Sequence, residues 1–404
     1  MDRNVDWIGE AFTSDAGWEA MEGLVDIRDR MAGSDGEERA AEVTREALAE
    51  HVGSRLREEE FGIKGWERVS SSLEHPDGEE DCVGLPRSPS ARAEGELIDL
   101  GAGLPEDFEG RRLSGKVVMV SSDTPDYYER FVHRREKYDA AVEGGAAGFV
   151  FRSHVDGCLP PTGSVGGQEG EAIGEIPAVG VSKEVGARLS RRYEGEEVGV
   201  EVEADIGDAT SRNVHARLGP ETEERVLVTC HIDAHDVGEG AVDNGAGVGA
   251  LVEVAKALGG REDELGTQVE LVAYGAEEVG LCGSEHHAET TDTENVRAVV
   301  NNDGLCRSRT LEFHTHGFDS LGDAVRRTGE RFGHPVDVVP RHNPHSDHWP
   351  FVKKGVPGYH VRSNTENRDR GWGHTSADTL DKIERRGLRE QSILITGLVE
   401  VLAD

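Results

Sequence analysis

Residues 225–258 read RVLVTCHIDAHDVGEGAVDNGAGVGALVEVAKAL, and this stretch decides the fold. Its first six residues are an almost unbroken apolar run, which is typical of a strand buried on both faces of a sheet. A polar, glycine-rich loop follows, and from about Gly245 to Leu258 the small and apolar residues continue for the length of a helix. The stretch therefore predicts a strand, a loop and a helix, the unit of a parallel α/β sheet.

The same alternation continues towards the C-terminus. The apolar runs QVELVAY at 268–274 and RAVVN at 297–301 predict two more buried strands, and a helix is expected after Gly280 between them. Strands that alternate with helices form an open sheet with helices on both faces. We therefore expect an α/β fold with a doubly wound, mostly parallel sheet.

Two further regions precede this sheet. Residues 15–60 carry apolar residues at helical spacing, which predicts two packing helices. From Glu94 to about Ala204, short apolar runs separated by turns predict a β-rich unit, after an exposed connection at 70–92. The predicted domains are an N-terminal helical part at 1–85, an inserted β-rich domain at 92–205 and the core at 206–404.

Side chains that bind metals stand at the ends of the predicted core strands. In an open parallel sheet, the carboxyl ends of the strands lie at one edge, where ligand sites form. We therefore expect these groups, distant in sequence, to converge. They are His231 and Asp233 after the first strand, Asp243 in the loop before the first helix, Glu277 and Glu278 after the second strand, and Asp303 after the third.

These residue types suit a pair of divalent cations, which need imidazole and carboxylate ligands with one carboxylate bridging both ions. Asp243 is best placed to bridge, because Asn244 and the small residues after it begin a helix whose N-terminal N–H groups favour a carboxylate. Asp233 follows His231 by two residues on an extended segment, so it can orient that imidazole by accepting its other N–H.

The adjacent carboxylates of Glu277 and Glu278 have different expected tasks. One binds metal, while its neighbour stays unligated and moves a proton from water to the leaving amine. Two neighbouring buried carboxylates are costly without a cation, which itself favours a metal site. A single His-x-Asp or Glu-Glu pair is common on protein surfaces, so the prediction depends on the whole ordered set.

Five motifs together resemble one known family. They are HID (231–233), GAVDNGAG (240–247), AEEVGLCGS (276–284), NND (301–303) and GWGHTSADTLDKI (371–383). They are similar to the di-zinc exopeptidases that include aminopeptidase Y, the bacterial leucyl aminopeptidases and glutamate carboxypeptidase. The likeness runs from about Asn213 to the end of the chain. The stretch HIDAHDVGEGAVDNGAG looks particularly like the carboxypeptidase Q branch, which acts on dipeptides.

The resemblance implies two zinc ions per chain, with cobalt or manganese as substitutes. It assigns His231 and Asp303 to one zinc, Glu278 and His374 to the other, Asp243 to both, and the role of general base to Glu277. Spacing alone does not select His374, because four other histidines share its region. They are His342, His345, His348 and His360.

The segment HSDHWPFVKKGVPG at 345–358 also resembles a family element, and it implies that Asp347 lines the site behind the ligands. Family members place a tyrosine near the last histidine to stabilise the oxyanion, whereas Gly373 stands there in this chain. Tyr359 is the remaining candidate for that role. Other nearby histidines and cysteines are expected to be ordinary structural residues. They are His235, His286, His287, His314, His316, Cys230, Cys282 and Cys306.

The inserted region resembles the protease-associated domain found in several peptidases. A strand after LSGK, a charged helix from Tyr128 to Glu143, the stretch GGAAGFVF and the stretch IPAVGVSKEVGARL follow the order of that domain. The resemblance implies a unit that covers the active site or shapes substrate access. A simple packing module is the alternative.

The predicted function is that of a zinc-dependent aminopeptidase. A hydroxide bridging the two zinc ions would attack the terminal peptide bond, with Glu277 as general base and Asp233 orienting the imidazole of His231. The alternative is a dipeptidase or carboxypeptidase of the same family. A non-catalytic binding protein and a single-metal glutaminyl cyclase are further alternatives, which the complete ligand set disfavours.

The formal net charge is -36 at pH 7, from 80 acidic and 44 basic residues. Such a surface repels nucleic acid and anionic membranes, so peptide substrates are the expected partners, with a homo-oligomer left open. The scattered cysteines, five in number, and the absence of a signal-like N-terminus or an apolar span predict a cytoplasmic protein without a disulfide framework.

Self-repulsion among the acidic residues predicts a halophilic, haloarchaeal protein, since at about 1 M salt the Debye length is only about 3 Å. We expect the midpoint of thermal unfolding to rise steeply across a salt series from dilute buffer to molar potassium chloride. An acidic protein of an ordinary cytoplasm is the alternative, and a midpoint that stays constant across the series would establish it.

Overall fold

The computed structural model describes residues 6–167, 173–364 and 371–404. The N-terminal and inserted regions contain, in chain order, α1 (Asp6–Thr13), α2 (Ala16–Val25), α3 (Asp35–Val52), β1 (Leu56–His75), β2 (Gly78–Glu80), β3 (Val83–Gly84), β4 (Ala91–Asp99), α4 (Pro105–Phe108), β5 (Val117–Ser121), α5 (Arg134–Glu143), β6 (Gly148–Arg152), β7 (Ala178–Val181), α6 (Lys183–Tyr193) and β8 (Glu197–Leu218). The C-terminal region contains β9 (Arg225–His231), α7 (Ala246–Gly259), β10 (Gln268–Tyr274), α8 (Cys282–Thr290), β11 (Val296–Asn302), β12 (Leu311–His314), α9 (Asp319–Phe332), β13 (Val336–Val339), α10 (Trp349–Val352), β14 (Gly358–Ser363) and α11 (Arg385–Leu402).

The core sheet has the strand order β13-β12-β14-β11-β9-β10-β8. Its centre is parallel, because β9 pairs in parallel with both β10 and β11, and β11 pairs in parallel with β14. Antiparallel pairing occurs between β10 and β8 and between β12 and β14. The expected mixed α/β fold with a mostly parallel sheet is confirmed.

Alternate residues of the central strands face two different layers of helices. On β9, Val226 and Val228 pack into the core formed with α2, α3, α7 and α11, whereas Leu227 packs on the other face with Ala288 of α8 and Phe351 of α10. Both faces are apolar, so burial of these strands removes apolar surface on each side. This explains the almost unbroken apolar runs in the sequence.

The N-terminal part is helical only as far as Val52. The helical expectation for 1–85 is wrong beyond that point, because β1 is a 20-residue strand. It pairs with β8 from Leu56 opposite Ala216 to Glu74 opposite Gly199. Many residues of β1 are exposed and polar, whereas Phe61, Ile63, Trp66 and Leu73 pack into a buried apolar cluster with residues of β5 to β8. These apolar residues do not alternate regularly along the whole strand, so the sequence did not signal it.

The strand β8 joins the inserted region to the core. Its first half pairs antiparallel with β4, and its last residues pair with β10. Beyond β4 lie β5, β6 and β7 in parallel, followed by β3. The helix α5 of this region begins at Arg134, not at the expected Tyr128. Part of the connection expected to be exposed is structural, because Leu85 and Arg87 are fully buried.

Two simpler expectations can be compared with the structure. All five cysteines are free thiols. Among the residues that the structure describes, no helix combines the length and apolarity that a membrane-spanning segment requires.

A buried charge, Glu270, lies in the middle of β10. Its carboxylate is 3.0 Å from Nε of Arg225, 3.4 Å from Nη2 of Arg217 and 3.1 Å from Nδ1 of His215. Burial alone would raise the pKa of Glu270, but the hydrogen bond and charge of His215, with the neighbouring positive charges, lower it to about 2. Its stabilising effect is therefore complete above the ordinary carboxyl pKa and is lost as the pH falls towards 2.

Replacement of this carboxylate tests the cluster. We expect Glu270→Gln to lower the free energy of unfolding by about 3 to 5 kcal/mol at pH 7, because it leaves buried basic groups without their anion. Chemical denaturation at fixed salt measures the change. The matched control is Glu224→Gln, which removes an exposed partner of Arg297 and should change stability by less than about 1 kcal/mol. Equal stability of the two variants would contradict this account.

Candidate metal centre

The carboxyl ends of the three central strands meet at one edge of the sheet. His231 is the last residue of β9, and the strand register places it beside Tyr274, the last residue of β10. Asn301 of β11 lies beside Thr229, which brings Asp303 to the level of His231. The groups that the sequence predicted to converge therefore do so because parallel strands of matched register end together.

Asp243 occupies the centre of the cluster. Its Oδ1 atom lies 3.2 Å from Nε2 of His231, and its Oδ2 atom lies 3.2 Å from Nε2 of His374. Each oxygen of one carboxylate thus faces a different imidazole. This arrangement suits a carboxylate that is shared between two cations.

The remaining acidic groups surround this carboxylate. Nε2 of His231 is 3.8 Å from Oδ1 of Asp303, and Nε2 of His374 is 3.4 Å from Oε2 of Glu278. At this edge of the sheet, side chains that offer ligand atoms within 4.8 Å of one another form three overlapping groups. These are His231, Glu277 and Asp303; His231, Asp243 and Glu278; and His235, Glu278 and His374.

Asp233 fixes the turn that carries the two glutamates. Its Oδ1 and Oδ2 atoms accept the backbone N–H groups of Glu277 and Glu278, each at 3.0 Å. The expectation that its carboxylate accepts the N–H of His231 needs correction. Nδ1 of His231 lies 3.1 Å from the backbone carbonyl oxygen of Asp233 and 3.4 Å from Oδ1 of its carboxylate. The imidazole is therefore oriented chiefly by a backbone carbonyl.

Glu37 of α3 supports the same turn, a role that no sequence pattern predicted. Its Oε1 atom accepts the N–H of Ala276 and the hydroxyl of Ser211, both at 2.8 Å. Ala276 has a φ of 54°, a left-handed conformation that this buried hydrogen bond helps to hold. Burial and the charge of Asp233 raise the pKa of Glu37 to about 8.

The loop that carries Asp243 is held from two sides. Asp378 accepts the backbone N–H of Val242 at 2.7 Å and that of Asp243 at 3.1 Å. Burial and the charge of Asp243 raise the pKa of Asp378 to about 7. The buried guanidinium of Arg30 donates to the carbonyl oxygens of Ile232, Glu239 and Gly240. Sequence patterns missed both residues, because their partners are backbone atoms far away along the chain.

His235 lies closer to the centre than expected. Its Nε2 atom is 2.9 Å from Oε2 of Glu278, and its ring lies against that of His374 at 4.6 Å between centroids. Burial and the positive charge of Arg134 lower the pKa of His235 to about 4. It is thus a neutral imidazole beside the second ligand group, whereas the sequence interpretation had set it apart.

Two other predicted residues have different outcomes. Asp347 is fully buried, and burial raises its pKa to about 8, with further increases from Asp233 and Asp303. It lies behind the cluster as expected. Tyr359 was the wrong candidate for oxyanion stabilisation, because its hydroxyl is buried in the core and donates to the carbonyl oxygen of Leu321 at 2.9 Å.

The rival histidines of the C-terminal region take no comparable position. His360 donates towards the backbone oxygen of Asp303 at 3.2 Å and stacks on His348 at 5.2 Å, while the ring of His345 stacks on that of His133 at 4.6 Å. Of the histidines that spacing left open, His374 is the one that faces Asp243.

The charges of the cluster demand compensation. Burial raises the pKa of Glu277 well above its ordinary value, with further increases from the charges of Glu278 and Asp347. Burial also raises the pKa of Glu278, to about 8. Asp243 differs: burial would raise its pKa, but the imidazoles of His231 and His374 hold it well below the ordinary range. Several buried carboxylates thus lie close together with little positive charge near them.

Buried atoms without a hydrogen-bond partner indicate where a cation would bind. Within the described residues, Nε2 of His231 and Oε1 of Glu278 are buried without a hydrogen-bond partner. Such atoms are costly unless they bind an ion or water. In the same part of the chain, the ion pairs of these carboxylates are with histidines alone. Imidazole and carboxylate donors of this kind fit a divalent transition metal such as zinc.

Comparison with known proteins agrees with this centre. Residues 213–399 match peptidase family M28, and residues 93–189 match the PA domain. The C-terminal region of the chain is therefore similar to peptidase family M28. The M28 match contains every predicted ligand, and the PA domain match covers most of the inserted β-rich region.

The curated proteins that this chain resembles include two bacterial proteins. Aminopeptidase YwaD of Bacillus subtilis is 26% identical over 317 residues, which cover 75% of this chain and 66% of YwaD. The probable lipoprotein aminopeptidase LpqL of Mycobacterium tuberculosis is 27% identical over 322 residues, which cover 70% of this chain and 61% of LpqL. The chain thus spans less than two thirds of the length of either relative.

Solved structures share the fold of this protein along most of the chain. A peptidase M28 precursor from Shewanella amazonensis superposes with a TM-score of 0.80 at 23% identity, covering 98% of this chain and 95% of that one. BSAP, described as a zinc aminopeptidase from Bacillus subtilis, superposes with a TM-score of 0.75 at 23% identity, covering 96% and 94%.

The support that Asp378 gives to Asp243 can be tested through cation affinity. We expect Asp378→Asn to weaken zinc binding about 10- to 100-fold, because one of the two backbone N–H groups loses its acceptor and the ligand loop is less well oriented. Competition with a chromophoric chelator measures the affinity. The control Asp381→Asn changes an exposed carboxylate three residues away and should bind zinc as the unmodified protein does. Equal affinity of both variants would rule out the support role.

Proposed function

We propose that the chain is a zinc-dependent exopeptidase that releases the N-terminal residue of peptides. One observation carries this proposal, namely that the two oxygens of Asp243 face His231 and His374 separately. A shared carboxylate between two ligand groups is the arrangement that a pair of metal ions requires for hydrolysis. The names of the relatives, among them aminopeptidases of Bacillus and Mycobacterium, support the choice of substrate end.

The distances support two ligand sets. His231 and Asp303 would hold one zinc, and His374 and Glu278 would hold the other, with Asp243 bound to both. His235 borders the second set through Glu278. The description of BSAP as a zinc aminopeptidase supports zinc as the metal. When bound, the two ions would supply Lewis acidity, which polarises the scissile carbonyl and lowers the pKa of water.

Glu277 is the acidic group suited to proton transfer. It adjoins His231 and Asp303, yet its neighbour Glu278 is the one that faces His374. Its backbone N–H donates to Asp233, which fixes the turn that carries this carboxylate. In the proposed reaction it takes a proton from the attacking water as the new C–O bond forms, and it delivers that proton to the amine nitrogen as the C–N bond breaks.

One substitution can distinguish the role of general base from the role of metal ligand. We expect Glu277→Gln to lower kcat about 10²- to 10⁴-fold on leucine p-nitroanilide and on leucyl dipeptides, because the isosteric amide cannot accept the proton. Zinc content, measured by elemental analysis, should stay at two ions per chain. Steady-state kinetics of the zinc-loaded protein gives the rates.

The matched control for this test is Glu289→Gln, on the exposed face of α8 a few residues further along. We expect it to retain full activity. Full activity of the Glu277→Gln variant would contradict the role of Glu277. An unmodified, zinc-loaded protein without activity on both substrate classes would contradict the proposed function itself.

A further inference from the structure

The imidazole of His235 is buried next to the metal centre, with 6% of the residue exposed. Among the residues that the structure describes, neither Nδ1 nor Nε2 of this ring has a hydrogen-bond partner. A buried polar atom without a partner is unfavourable, so such atoms commonly face an ion or a water molecule. His235 lies outside both ligand sets of the proposed function, yet its nitrogens are as unsatisfied as Nε2 of the ligand His231.

Nε2 of His235 faces the same carboxylate oxygen as the ligand His374. It lies 2.9 Å from Oε2 of Glu278, and Nε2 of His374 lies 3.4 Å from that oxygen. The two rings are inclined by 70° with their centroids 4.6 Å apart, so they reach the oxygen from different directions. Although Nε2 of His235 and Oε2 of Glu278 are close, they do not form a hydrogen bond. Donor atoms that are close without bonding to each other are typical of ligands that share one ion.

The spacing of these atoms suits a zinc ion. With zinc–nitrogen and zinc–oxygen distances of about 2.0 to 2.2 Å, the ligand atoms of a tetrahedral site lie about 3.3 to 3.6 Å apart. The distances of 2.9 Å and 3.4 Å from the two imidazoles to Glu278 are close to this range. So is the distance of 3.2 Å between Nε2 of His374 and Oδ2 of Asp243. The ligand atoms of His235, Glu278 and His374 all lie within 4.8 Å of one another.

The backbone is held on both sides of His235. Before it, the N–H of Ala234 donates to the carbonyl oxygen of Arg30 at 3.0 Å. After it, the carboxylate of Asp236 accepts two hydrogen bonds from Arg68 of β1, at 2.8 Å from Nε and 2.6 Å from Nη2. The imidazole is therefore positioned before any ion binds, which is the condition for a precise metal site.

We propose that His235 is a fourth protein ligand of the zinc ion assigned to His374 and Glu278. The inference rests on the proposed two-ion function and adds a ligand to it. Three protein ligands leave a position open at a zinc ion, whereas four complete a tetrahedron that can expand to five positions when water or substrate binds.

The two ions then have unequal ligand sets. The ion at His231 and Asp303 has one imidazole, whereas the ion at His374 has two imidazoles and one protein ligand more. Imidazole favours zinc, while carboxylates also accept manganese. We therefore expect the position at His374 to bind zinc more tightly, and the position at His231 to accept manganese more readily.

Zinc titration of the metal-free protein tests the role of His235. In competition with a chromophoric chelator, the unmodified protein should bind two zinc ions, one more tightly than the other. His235→Phe fills the space of the ring, and His235→Gln retains an N–H that could orient Glu278, but neither offers a nitrogen lone pair. Both should weaken the tighter binding by more than about 100-fold, whereas loss of a residue that merely orients a ligand weakens it about 10- to 100-fold. The weaker binding should not change.

The matched control is His316→Phe. His316 is also buried, and its Nε2 likewise has no hydrogen-bond partner within the described parts of the chain, but its ring stacks on those of His342 and His348. This variant should bind both zinc ions as the unmodified protein does.

A second measurement needs no variant. X-ray absorption of the unmodified protein with one equivalent of zinc should show two imidazoles bound to the ion. One imidazole would overturn the inference. So would a His235→Gln variant that binds zinc as tightly as the unmodified protein, because an orienting N–H would then be enough. Both results leave the proposed function intact. An unmodified protein that binds fewer than two zinc ions would overturn the two-ion function, and the inference with it.

Discussion

The burial of many carboxylates at one edge of the sheet is the constraint on which the centre depends. Asp243, Glu278 and Asp303 lie among imidazoles that supply too little positive charge for them, and within the described residues Oε1 of Glu278 and Nε2 of His231 have no hydrogen-bond partner. Like charges in a low-dielectric environment repel strongly unless cations stand between them. A pair of bound cations, as proposed, would resolve this conflict, so the arrangement would be stable in the form in which it acts.

The surrounding residues fix the backbone of the centre and do not neutralise its carboxylates. Asp233, Glu37 and Asp378 accept hydrogen bonds from backbone N–H groups. Arg30 donates hydrogen bonds to backbone carbonyl oxygens. Each of them fixes a loop rather than neutralising a ligand. The ligand side chains are thereby held close together by rigid backbone, which reduces the reorganisation needed when a metal binds.

The sequence predicted the parts of the structure that depend on apolar pattern and strand ends. The runs at 225–230, 268–274 and 297–301 are strands, because burial on both faces requires continuous apolar residues. The ligand positions followed from the parallel sheet, although His374 needed the family resemblance. The run VGVEVEA at 198–204 was predicted as a strand and lies in β8, whereas β1 was missed because its apolar residues do not alternate regularly. Tyr359 was misassigned because sequence distance says nothing about the direction of a hydroxyl.

Anomalous scattering from a zinc-loaded crystal, recorded on both sides of the zinc absorption edge, tests the central claim most directly. The account predicts two peaks about 3.5 to 4 Å apart, one on either side of the Asp243 carboxylate, the first next to His231 and the second next to His374. A single peak, or peaks that leave either histidine without a metal, would contradict it.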